Sequence, residues 1–90
     1  MYVGVIHKIT DLARWTEGAK AFDRSTLPAE MSNPVSIGGR DYTFCLWEVP
    51  SVDALRDMLD PTTEGASTNT YFVIDPAAAG TIGFPKHATA

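Results

Sequence analysis

The spacing of apolar side chains changes period twice in the same way along this chain. From Tyr2 to Ile9 the period is two. Val3, Val5, His7 and Ile9 fall on one side; Tyr2, Gly4, Ile6 and Lys8 fall on the other. The β-branched content and the lack of proline mark a strand. From Leu12 the period becomes three to four, with Leu12, Trp15, Ala19 and Phe22 on one helical face behind two N-cap candidates, Thr10 and Asp11. Leu27-Pro28 is expected to end this helix. Val35 to Ile37 reads as a short edge strand after Pro34, Gly38 to Asp41 as a turn, and Tyr42 to Val49 as the clearest strand. In that strand Thr43, Cys45, Trp47 and Val49 alternate with Tyr42, Phe44, Leu46 and Glu48. Ser51 then caps a second helix with the stripe Val52, Leu55, Met58 and Leu59, which Asp60-Pro61 is expected to break. Thr70 to Asp75 is the last strand.

The order strand, helix, strand, strand, helix, strand describes two split βαβ units. These give an α+β, ferredoxin-like antiparallel sheet with both helices on one face. The other face is left bare. Val3, Val5, Cys45 and Trp47 are assigned to the bare face here, with His7 beside them. Such a surface does not stay wet in a stable monomer. The expectation is therefore a homodimer, sheet against sheet, with a cavity between the sheets. Residues 1–75 form this single domain and residues 76–90 a C-terminal arm. Pro76 stops the last strand, Ile82 and Phe84 are expected to pack on the body or on the partner, and the last residues are expected to be mobile.

Composition narrows the function. Ninety residues leave room for one core. A net charge of −4 without a basic cluster excludes ordinary nucleic-acid and anionic-membrane binding. No apolar run approaches the roughly 20 residues of a membrane helix, and the N-terminus lacks the basic start of a secretory signal. A single cysteine forms no internal disulfide, which suits a reducing cytoplasm.

The run Phe44-Cys45-Leu46-Trp47-Glu48-Val49-Pro50-Ser51-Val52-Asp53-Ala54-Leu55 resembles the strand–helix junction of the dimeric α/β-barrel superfamily. The nearest branch is that of the antibiotic-biosynthesis monooxygenase-like proteins, which includes heme-degrading monooxygenases and cofactor-free quinone-forming oxygenases. Cys45-Leu46-Trp47-Glu48 is also similar to a stretch in small uncharacterised actinobacterial barrel proteins. The resemblance implies that Trp47 lines a pocket, joined by a polar residue near the end of the first strand, the place of His7. Heme-degrading members carry an axial histidine on the second helix. Residues 51–66 contain none, so no cofactor is expected.

His7 is the expected acid or base, since imidazole exchanges a proton near neutral pH. The competing reading is a core histidine holding one hydrogen bond. Trp47 offers a flat wall and an N–H for an aromatic or polyketide-like ligand, or else serves only as a core or interface aromatic. Val5, Thr43 and Cys45 share the assigned pocket face, and Tyr71 closes a polar stretch, Ser67 to Tyr71, at the pocket mouth. Cys45 sits between apolar neighbours that make a thiol inert, although a Cys45–His7 nucleophile pair is conceivable across neighbouring strands. Glu48 alternates away from Cys45, and no spacing matches a metal signature. The sequence thus points to a small-molecule enzyme acting on an apolar oxygenated substrate, as a cofactor-free monooxygenase, cyclase or isomerase. The alternative is a non-catalytic dimeric barrel that binds a small ligand or is purely structural.

Overall fold

The structure, a computed structural model, describes residues 1–75 and Ala77. It contains β1 (Tyr2–Ile9), α1 (Leu12–Ala21), a single 3-10 turn (Arg24–Thr26), β2 (Ser32–Gly38), β3 (Tyr42–Glu48), α2 (Val52–Thr62) and β4 (Ser67–Ile74). The strands form one antiparallel sheet in the order β2-β3-β1-β4. This α+β arrangement of four strands and two helices is compatible with a ferredoxin-like fold. The expected arm, with Ile82 and Phe84, lies outside the described residues. No helix among the described residues is long and apolar enough to cross a membrane.

Capping sets the helix starts. The Asp11 side chain accepts from the Arg14 N–H at 3.1 Å, and the Ser51 hydroxyl accepts from the Ala54 N–H at 3.1 Å. The helix ends differ from expectation. α1 stops at Ala21, well before Pro28. Asp23 then takes the chain away from the helix: its carboxylate accepts from the Ser25 N–H and hydroxyl at 2.9 and 2.6 Å. α2, in contrast, runs through Pro61 to Thr62. Proline forgoes one N–H bond there, but the last turn is held otherwise. Thr62 Oγ1 donates to the Met58 carbonyl at 2.7 Å, and both Thr63 N and Thr63 Oγ1 donate to the Leu59 carbonyl at 2.9 Å.

β4 begins at Ser67, so the polar stretch Ser67 to Tyr71 is itself strand rather than a loop before it. β2 extends to both sides of Val35–Ile37 and is irregular: Ser32 pairs with Glu48 but Val35 with Leu46. Asn33 and Pro34 together oppose one residue of β3. Pro34 needs no ladder partner at this edge, and Asn33 Nδ2 donates to the Val35 and Leu46 carbonyls at 3.1 and 2.8 Å.

The face assignment is corrected. Val3, Val5, Cys45, Trp47 and Val49 form one buried cluster with Leu55 and Leu59 of α2, and Phe22, Leu27, Met31, Val52 and Met58 pack against it. This is the helix-covered face of the sheet. The uncovered face carries Ile6, Tyr42, Phe44, Phe72 and Ile37. Phe72 lies across Gly4, where an added Cβ would overlap its ring, and its ring centroid is 6.3 Å from that of Phe44. Both faces of β1 and β3 are apolar, so alternation alone does not distinguish them.

Candidate functional site

The apolar stripe of α1 does not close onto the sheet. No residue of α1 is buried, and Leu12 is 41% exposed. Gly18 and Ala19 stand where larger side chains would fill the gap, and a Cβ at Gly18 would meet nothing within 4 Å. A cavity of about 740 Å³ results. His7, Thr43, Cys45 and Trp47 line it from the sheet, and Trp15, Gly18, Ala19 and Phe22 line it from the helix side. It therefore lies within one chain, between sheet and helix, and not between two sheets as the alternation suggested. Charge is present in the lining as Arg14, Glu17, Arg24 and Glu64.

His7 is 2% exposed and packs against Trp15, with ring centroids 4.8 Å apart. Its Nδ1 is 2.7 Å from Asn69 Oδ1. The orientation of that amide follows from its other partners. Asn69 Nδ2 donates to Asp60 Oδ1 at 3.0 Å, and a carboxylate only accepts. It also donates to Thr63 Oγ1 at 2.8 Å, while Oδ1 accepts from the Ser67 hydroxyl at 2.8 Å. Oδ1 must then accept from His7, so the proton sits on Nδ1 and Nε2 keeps a lone pair. Burial holds the imidazole pKa below 6.5, against smaller opposing effects of Asn69 and Asp60. His7 is neutral at pH 7 and basic at Nε2.

Asp60 is fixed from a second side. Tyr71 donates its O–H to Asp60 Oδ1 at 2.6 Å, and that bond holds the carboxyl below its ordinary range. Burial, then the Asp60 bond, raises the Tyr71 phenol far above its own range. Arg56 lies over the Tyr71 ring, 5.1 Å from its centroid. The chain Tyr71–Asp60–Asn69–His7 thus carries no ambiguity of donor and acceptor.

Two further groups are incomplete. Thr43 Oγ1 and Trp47 Nε1 are buried with no hydrogen-bond partner among the described residues, although both residues line the cavity. An unpartnered buried polar atom costs about 1–3 kcal/mol.

The sequence-expected residues separate accordingly. His7, Thr43, Cys45 and Trp47 share the cavity. Val5 and Tyr71 do not line it: Val5 is fully buried in the core, and Tyr71 spends its hydroxyl on Asp60. The Cys45–His7 pair does not form. Cys45 Sγ lies 3.4 Å from Ser36 Oγ, burial pushes its thiol pKa up, and His7 is committed to Asn69. Asn69 was reached only as part of the polar stretch Ser67 to Tyr71, and Asp60 only as a helix breaker. The available signal was an asparagine in a strand directly opposite His7. Among the described residues no group of three or more His, Cys, Asp or Glu is placed to hold a metal. No family model, curated protein or solved structure matches the chain.

Proposed function

We propose that the chain is a small-molecule enzyme that removes a proton from an apolar, oxygenated substrate held between α1 and the sheet. The observation that carries this reading is the Asp60–Asn69–His7 chain. It fixes a neutral imidazole with its free lone pair in a cavity lined also by Thr43 and Trp47, two residues with unpartnered donors. His7 Nε2 accepts the substrate proton, and Asn69 Oδ1 and the Asp60 charge stabilise the imidazolium that forms. The electrons left behind move onto a substrate oxygen beside Thr43 Oγ1–H, the donor on the residue paired with His7. Such donors act more strongly in a dry cavity than in water.

Dioxygen is the co-reactant for the oxygenase outcome that the family resemblance favours. A ring methylene becomes a carbonyl, one O2 is consumed and one water leaves. Return of the proton at another carbon, without oxygen, gives an isomerase or cyclase outcome. The pairing of two copies through the uncovered sheet face, as a dimeric α/β barrel, belongs to the same proposal. Ile6, Ile37, Tyr42 and Phe72, 39–64% exposed, support it. A reducing cytoplasm fits the single, buried thiol of Cys45.

His7→Gln assayed on anthrone-like and quinol substrates tests the reading. Turnover is expected to fall by about 10²–10⁴-fold, the usual contribution of a positioned base, with ligand affinity kept. Unchanged turnover removes His7 from the chemistry. Binding without turnover by the native chain returns the protein to the class of ligand-binding barrels.

A further inference from the structure

The cavity has a second polar end, on the β2 side. Arg24 lines it there, and its guanidinium donates to Asn33 Oδ1 at 3.2 Å. Asn33 is held firmly, because both bonds of its Nδ2 go to backbone carbonyls of the β2 irregularity. That fixes Oδ1 toward Arg24 and toward Ser36, whose hydroxyl donates to it at 2.9 Å. Arg24 has no carboxylate partner: the one ion pair among the described residues joins Arg56 to Asp53. Burial raises the Cys45 thiol pKa, and the Ser36 bond and then the Arg24 charge oppose it. A guanidinium oriented by Asn33 at the edge of the cavity matches a planar oxyanion.

The two ends are separated by geometry. His7 belongs to β1 and Ser36, whose hydroxyl meets Asn33 Oδ1, to β2, two strand spacings away; His7 pairs with Thr43 while Ser36 pairs with Cys45. Two spacings of ~4.8 Å and two residues of ~3.3 Å place the ends on the order of 10 Å apart. Two fused rings with a substituent at each end span that distance.

We infer that the cavity selects an aromatic carboxylate, with its carboxylate on Arg24 and its ionisable O–H or C–H end at His7. This rests on the proposed ligand site and adds the charge of the substrate. The chain's net charge of −4 opposes an anion at long range, so a preference for one reports a local cation.

Isothermal titration of the full chain with 6-hydroxy-2-naphthoate and with its neutral carboxamide tests the inference. The carboxylate is expected to bind about tenfold more tightly. Arg24→Met should abolish that preference, lowering carboxylate affinity more than carboxamide affinity, and Arg24→Lys should keep part of it. Arg14→Met, at the other cationic residue of the lining, should leave it intact. Equal affinities in the native chain, or a preference that survives Arg24→Met, overturn the anionic substrate and leave the cavity reading standing. If neither probe binds, the ligand site itself is refuted, and the inference with it.

Discussion

At the scale of the residue, the environment of His7 makes its protonation state part of the fold. The pKa lies below 6.5 in the folded chain and near 6.5 in the unfolded one. Below about pH 6.5 the unfolded chain takes up a proton that the fold refuses, so stability is full above that value. It is lost as pH falls through the folded pKa, and the loss levels off beneath it. Chemical denaturation between about pH 7 and 5 should show this decline, and His7→Gln should flatten it. An equal slope in the variant would mean that His7 titrates alike in both states. For the proposed reaction the same direction applies: the acid limb of kcat/KM should lie below pH 6.5, because Nε2 stays a free base above it.

At the scale of the element, α1 is defined by what it does not fill. Gly18 faces open space on the cavity side. Gly18→Ala adds a methyl that clashes with nothing and restores helix propensity, so stability should rise by up to about 1 kcal/mol. Thermal unfolding checks this. A lower melting temperature would show that α1 moves against the sheet. The helices and strands themselves were legible from period and caps: Asp11 and Ser51 are N-caps, and Tyr2–Ile9 is a strand throughout. The side of the sheet that the helices cover was assigned the wrong way round, with Val3, Val5, Cys45 and Trp47 on the bare face. Val3 and Val5 look no more apolar than Ile6 and Leu46. The deciding signal is Lys8 and Glu48, which fall on the opposite parity from Val3 and Trp47 and remain exposed. The co-location of His7, Thr43, Cys45 and Trp47 survives this inversion, because antiparallel register keeps paired residues on one face whichever face it is. Asn69 and Asp60 escaped because their roles depend on a strand starting at Ser67 and on a helix continuing past Asp60, both of which proline and polar content obscured.

At the scale of the whole molecule, the uncovered sheet face sets the expected assembly. Light scattering at micromolar concentration should return twice the chain mass, and Phe72→Lys should return the chain mass, by placing a charge beside Phe44. A native monomer would refute the barrel pairing. The cavity, in contrast, is bounded by α1 and the sheet of a single chain. In the proposed dimer each copy would hold the whole of the proposed site. Dilution that separates the subunits should leave the rate per chain unaltered, saturation curves should be hyperbolic, and a mixed dimer with one His7→Gln subunit should keep half the activity. Substitutions on the uncovered face would leave the cavity untouched, since the two occupy opposite sides of one sheet.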